Sequence, residues 1–189
     1  KFVECIVAPD FEDDALVILR KKKRTRLIRY HNLDSKASVM RSAAGGLLIQ
    51  SPDDSLTSGQ LDFVCGDKPT DEMLEDLLFA WKVVKYVKSN AIVFASKGRT
   101  LGIGAGQPSR VDSTKIAIRK AEEGGHDLEG SVMASDGFFP FPDCIELAHK
   151  AGARAVIQPG GSIRDQEVID AAKSFGLTMA LARMRHFRH

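Results

Sequence analysis

Residues 155–165 read Ala155-Val156-Ile157-Gln158-Pro159-Gly160-Gly161-Ser162-Ile163-Arg164-Asp165, and their order decides the fold class. A short apolar run stops at Gln158, a Pro-Gly-Gly turn follows, and Asp165 opens the next stretch. That succession is strand, turn, helix. Working outward, residues 165–175 are expected to form a helix and 177–181 a last strand, with a helix at 143–151 and a strand at 132–135 upstream. Residues 70–88 form a further predicted helix. Thr70 is its N-cap, Asp71 and Glu72 sit in its first turn, and Met73, Leu77, Trp81, Val84 and Val87 share one face. A strand at 91–95, a turn at Lys97-Gly98-Arg99, a strand at 100–103 and a helix at 113–123 complete the pattern. Strands alternating with helices predict an α/β fold with helices packed on a sheet, and the hairpin makes that sheet mixed.

The first sixty residues are less regular. Residues 2–7 are expected to be a buried strand, 13–22 a helix, and 27–30 and 46–50 short strands. The segment 51–66 is polar and rich in turn formers, which places a domain boundary near residue 60: a first region 1–60 and a second 61–189. The chain starts at Lys1 inside a strand-like run, so it reads as a piece of a longer protein. Lys and Arg number 27 against 25 Asp and Glu, and a formal charge of +2 creates no demand for nucleic acid or an acidic membrane. The local run from Arg20 to Arg24 is read as a solvated helix end. Three cysteines without paired spacing, Cys5, Cys65 and Cys144, fit free thiols in a reducing compartment. No apolar run approaches the roughly 20 residues of a membrane helix, and no ligand cluster has zinc spacing, so no metal is expected.

Four stretches carry candidate chemistry. Gly102-Ile103-Gly104-Ala105-Gly106-Gln107 follows a strand and precedes a helix, as a dinucleotide cradle would, but Pro108 to Val111 supply no third glycine. The glycines instead suggest backbone approaching something closely. Arg110, beside that turn, either holds a carboxylate or phosphate, or makes a surface ion pair with Asp112 or serves helix packing. In Ser135-Asp136-Gly137-Phe138-Phe139-Pro140-Phe141-Pro142-Asp143-Cys144 the phenylalanines either stack on a flat heterocycle or plug the core. Asp143 either serves the site or caps the next helix. The Gly160-Gly161 turn binds an anion or is a tight turn capped by Ser162 or Asp165. The ending Arg183-Met184-Arg185-His186-Phe187-Arg188-His189 is a frayed basic tail or a set of fixed cations ready for a phosphate.

Lys88-Ser89-Asn90-Ala91-Ile92, residues 102–113, 134–143 and 158–170, and the ending Arg185-His186-Phe187-Arg188-His189 together resemble the AICAR transformylase/IMP cyclohydrolase family. A weaker match runs through Arg41 to Leu48. The resemblance is to the C-terminal part of the transformylase domain. It implies a three-layer α/β/α, cytidine-deaminase-like fold, and transfer of a formyl group from 10-formyltetrahydrofolate as co-substrate to the 5-amino group of AICAR. It also implies a cytoplasmic homodimer with sites at the interface, and no metal. By the resemblance, Asn90, Asp143 and His189 are catalytic positions, with Asn90 and Arg110 at the folate and formyl end, Asp143 near the folate and His189 near the imidazole carboxamide. Phe138 and Phe141 would line the heterocycle pocket, Gly45 would let backbone approach the nucleotide, and Arg185 would contact the ribose phosphate. The family's Lys-His pair has no counterpart in this chain, nor does its cyclohydrolase domain, so the chain alone is expected to be inactive. The alternative is a non-catalytic fragment for substrate binding and dimerisation. Gly137 stands where alanine is usual in the family, and Ala182-Arg183 also departs from it. The zinc motifs of deaminases are absent: the first position reads Pro108-Ser109-Arg110 and the second Pro142-Asp143-Cys144.

Overall fold

The computed structural model describes residues 2–31, 38–56 and 61–188. The chain divides into two units, Lys1–Asp54 and Ser55–His189. In the first, β1 (Cys5–Ala8) and β2 (Arg26–Arg29) pair in parallel through the connecting helix α1 (Asp13–Leu19). β3 (Val39–Ala43) and β4 (Gly46–Gln50) form an antiparallel hairpin with Ala43 opposite Gly46. Its two turn residues have positive φ, 40° at Ala44 and 88° at Gly45, the geometry that matches strand twist and favours glycine. The expected buried strand at 2–7 is corrected in two ways: the strand is Cys5–Ala8, and Phe2 and Val7 are exposed. A two-stranded sheet whose helix α1 contains no buried residue has little interior to offer.

The second unit holds β5 (Asp62–Cys65), α2 (Asp71–Val84), β6 (Ile92–Ser96), β7 (Arg99–Gly104), α3 (Arg110–Glu123), β8 (Val132–Ser135), α4 (Asp143–Lys150), β9 (Ala155–Gln158), α5 (Asp165–Ser174) and β10 (Thr178–Leu181). The strands form one six-stranded sheet in the order β5-β10-β9-β8-β6-β7. β8, β9 and β10 run parallel, while β6, β7 and β5 pair antiparallel to their neighbours. Alternate strand residues feed two cores. Ile92, Phe94, Met133, Val156 and Met179 pack against α3, α4 and α5. Val93, Ala95, Val132, Ala134, Ile157 and Ala180 pack against Leu77, Ala80, Trp81 and Val84 of α2. This is the expected three-layer α/β/α arrangement with a mixed sheet.

Thr70 caps α2 as the sequence suggests, its hydroxyl accepting from Met73 N at 3.2 Å. The helix ends at Val84, four residues short of the expected end. Near its middle, the buried Asp76 carboxylate accepts the amides of Lys97 and Gly98, both at 2.9 Å. One side chain thus ties the β6–β7 turn, where both residues have positive φ, to the opposite layer.

The glycines of the 102–106 stretch have a mechanical explanation. A Cβ on Gly102 would lie 2.1 Å from the Ala117 carbonyl oxygen, and one on Gly104 1.8 Å from that of Ser113. What the backbone approaches closely is α3 itself. Gly104→Ala would therefore push strand and helix backbones apart. We expect a loss of about 3 kcal/mol or more, read as a lowered urea midpoint. A loss below about 1 kcal/mol would show that α3 is not held this close.

Candidate functional site

Parallel pairing places the carboxyl ends of β8, β9 and β10 side by side. β6 starts at the same edge, because Ile92 lies opposite Ser135 and Gly104. In α/β sheets the crevice outside these strand ends is where ligands bind.

Asp136, the residue after β8, is fully buried. Its Oδ1 accepts from Ala91 N at 3.1 Å and pairs with Arg110 Nη2 at 3.2 Å. Its own amide donates to Ala91 O at 3.3 Å, and its carbonyl accepts from His186 N at 3.2 Å. The sequence offered Asp112 as a partner for Arg110; the partner is Asp136. The Arg110 side chain is 14% exposed, so it is committed to the interior. Arg110 Nε and Asp136 Oδ2 are buried without a hydrogen-bond partner among the described residues. A Cβ on Gly137 would fall 2.0 Å from Arg110 Nη2, so glycine leaves room for this seat and an alanine would make the guanidinium shift. Asn90 sits beside it: its amide nitrogen donates to the carbonyls of Gln107 and Pro108, both at 2.9 Å, and its own carbonyl accepts from Ser113 Oγ at 2.7 Å.

The phenylalanines split between the two readings. Phe139 is fully buried in the core, its amide donating to Gln158 Oε1 at 3.0 Å. Phe138 is half-buried and Phe141 exposed, each beneath an arginine: Arg185 lies 4.9 Å from the Phe138 ring centre and Arg164 4.7 Å from that of Phe141. Asp143 opens α4 and is exposed, and its Oδ1 accepts from Cys144 N at 2.9 Å. No hydrogen bond or ion pair joins it to Asn90, Arg110 or Arg185 among the described residues.

At the end of β9 the Asp165 carboxylate accepts the amides of Gly161 (2.6 Å) and Ser162 (3.0 Å). The tight-turn reading holds here, and those two amides are already used. The tail is docked as far as residue 188. Arg183 N donates to Pro159 O at 3.1 Å. The buried His186 ring lies 4.9 Å from Trp81. Arg188 bonds Ser89 through its carbonyl (2.8 Å, from Ser89 N) and its amide (3.0 Å, to Ser89 Oγ). A cavity of about 220 Å³ remains between Pro159, Gly160, Gly161, Arg183 and Arg185. Arg183 is paired with Asp62 at 2.5 Å, whereas Arg185 makes no ion pair among the described residues and brings an uncompensated cation to the cavity.

Asn90, Arg110, Phe138 and Arg185 therefore share one sheet edge, and Phe141 and Asp143 follow on the loop into α4. Gly45 lies in the other unit, where its positive φ accounts for the glycine and nothing stands within 4 Å of a Cβ there. His189 lies outside the described residues. Sequence reasoning assigned no role to Asp136 or His186. A carboxylate directly after a buried strand was the available signal for the first.

Cys144 is fully buried. Burial pushes its thiol up to about 12, against a modest lowering by Thr114. The unfolded thiol ionises near 9, so from about pH 9 to 12 the unfolded chain releases a proton that the folded chain keeps. Stability supplied by the neutral buried thiol is present below pH 9 and is lost as pH rises towards 12. Chemical denaturation across that range should show a steeper alkaline decline in the wild type than in Cys144→Ala, by at most about 1.4 kcal/mol per pH unit. Parallel curves would place the thiol in contact with solvent.

Comparison with known proteins bears on this edge. A family model described as the AICARFT/IMPCHase bienzyme matches residues 1–120. The chain is 53% identical over its whole length to the bifunctional purine biosynthesis protein PurH of Persephonella marina and 52% identical to that of Aquifex aeolicus. It spans 37% of the length of each. Among solved structures, the dCMP deaminase of cyanophage S-TIM5 is 17% identical with a TM-score of 0.43, covering 59% of this chain and 98% of that one. A diaminohydroxyphosphoribosylaminopyrimidine deaminase/reductase from Thermotoga maritima is 20% identical with a TM-score of 0.37, covering 57% and 34%. With the family model matching well over half of its residues, the chain belongs to the AICARFT/IMPCHase bienzyme family.

Proposed function

We propose that this chain is part of a formyltransferase that moves the formyl group of 10-formyltetrahydrofolate to the 5-amino group of AICAR during IMP synthesis. The observation that carries the reading is the arginine-lined cavity at the Gly160-Gly161 turn, with Arg185 poised over Phe138, in a chain that is 53% identical to a PurH protein. The cavity has room for a phosphate group, and an arginine can meet one with two parallel hydrogen bonds. The exposed Phe141 and half-buried Phe138 suit a flat ring, and Asn90 and Arg110 stand at the formyl end. Gly45, Asp143 and His189 keep their family-derived roles as part of the proposal, as do a homodimeric assembly and a cytoplasmic location.

In the transfer, the amine nitrogen attacks the formyl carbon, the bond from that carbon to folate N10 breaks, the amine loses a proton and N10 gains one. The amine is weakly nucleophilic because its lone pair is conjugated with the carboxamide-bearing ring. Proton transfer by a placed group is typically worth ~10²–10⁴ in rate, and the family's Lys-His pair is not among this chain's residues. This segment's share is to bind and orient, and the 189-residue chain alone should transfer no formyl group.

The test compares nucleotide with nucleoside in a full-length bienzyme containing this chain. Loss of a charge-assisted bond costs about 1.5–3 kcal/mol, one to two decades in affinity. Arg185→Ala should weaken AICAR by that much by calorimetry, leave the dephosphorylated riboside nearly unchanged, and hardly move the melting temperature. Equal weakening of both ligands, or of neither, would remove the phosphate from Arg185. Absence of formyl transfer by the unmodified enzyme would remove the reading as a whole.

A further inference from the structure

Asp136 joins three separate segments, each carrying a candidate binding group. The start of β6, next to Asn90, is held twice, by Ala91 N on Oδ1 (3.1 Å) and by Asp136 N on Ala91 O (3.3 Å). The start of α3 is held through Arg110 Nη2 on Oδ1 at 3.2 Å. The tail next to Arg185 is held through His186 N on the Asp136 carbonyl at 3.2 Å. The carboxylate has no solvent exposure, and Oδ2 has no hydrogen-bond partner among the described residues. An apolar side chain would avoid burying a charge at this point, and leaving a carboxylate oxygen unpaired adds to the cost. A second unpartnered atom, Arg110 Nε, belongs to the same ion pair. A small rotation that brings Nε to Oδ2 would complete a two-bond fork and satisfy both.

We propose that Asp136 is a positioning residue for Arg110: its buried carboxylate sets where the guanidinium stands, while its backbone fastens the tail that carries Arg185 to the same point. Asp136 touches no substrate and acts through Arg110. The inference rests on the formyltransferase reading for its kinetic arm, and its spectroscopic arm reads the Nε–Oδ2 bond that the rotation would complete.

The kinetic arm uses a full-length bienzyme containing this chain, and Asp136→Asn, which keeps an acceptor for Ala91 N and removes the charge that faces Arg110. The KM for the folate should rise roughly ten- to hundredfold, with the KM for AICAR within about twofold. Arg110→Ala should give a similar rise, and the double variant should be no worse than Arg110→Ala alone, the non-additivity expected of two residues acting as one unit. The spectroscopic arm follows the Arg110 Nε–H proton by NMR in the 189-residue chain. It should exchange slowly in the wild type and quickly in Asp136→Asn. If Asp136→Asn does not fold, Asp136→Glu, which retains the charge but displaces it by one methylene, should shift the Nε–H signal and raise the folate KM in step. Additive penalties in the double variant, an unchanged folate KM, or an Nε–H signal indifferent to Asp136 would each overturn the proposal. A wild-type enzyme without formyl transfer would sink the functional reading while the NMR result still decides whether Asp136 seats Arg110.

Discussion

Two strands that run parallel cannot be joined by a tight turn, so each connection must cross the sheet and return. In this chain the rule applies twice in succession, from β8 through α4 to β9 and from β9 through α5 to β10. Its result is that three outgoing loops leave from one edge: the aromatic loop after Ser135, the paired-glycine turn after Gln158 and the basic tail after Leu181. The antiparallel β6 adds its incoming end, with Asn90 two residues before the strand proper. Residues up to 95 positions apart, Asn90 and Arg185, owe their proximity to this crossover geometry.

The alternation of strand and helix was legible because its apolar residues repeat with clear period and its turns carry glycine and proline. β5 and β3 were not. β5 is a short edge strand, Asp62-Phe63-Val64-Cys65, with Asp62 and Phe63 exposed, and β3 is exposed along its whole length. Neither needs an apolar alternation, so neither leaves one. The site was legible as a set of unusual segments and illegible as a set of partners. Asp112, two residues from Arg110, was the local choice for its ion pair, yet the structure uses Asp136, 26 residues on, because α3 begins where β8 ends. The same holds for Gly102 and Gly104, whose neighbour is a helix carbonyl that only packing reveals. In the aromatic loop no periodicity distinguishes Phe139 from Phe138 and Phe141. Among the described residues, Phe139 alone of the three has its backbone amide held by a buried side chain, Gln158.

The surface aromatics and arginines balance each other. Arg185 over Phe138 and Arg164 over Phe141 each gain something on the order of 0.5–1 kcal/mol from the ring face when exposed. Under the proposed function, a flat ligand on either ring would replace that contact with stacking and free a cation for an anionic group.

The order of the sheet has one more consequence. Its two borders, β5 and β7, are both antiparallel strands, and the three parallel strands that supply the loops lie inside them. Fraying begins where a strand has a neighbour on one side only. The β7 border can open while β8, β9 and β10 keep both neighbours, whereas opening of β5 leaves β10 with β9 alone. The floor of the site is thereby buffered by β6 against the breathing of the β7 rim and borders directly on β5 at the other side, and the same borders keep the unpaired backbone of a parallel strand from being offered to another chain.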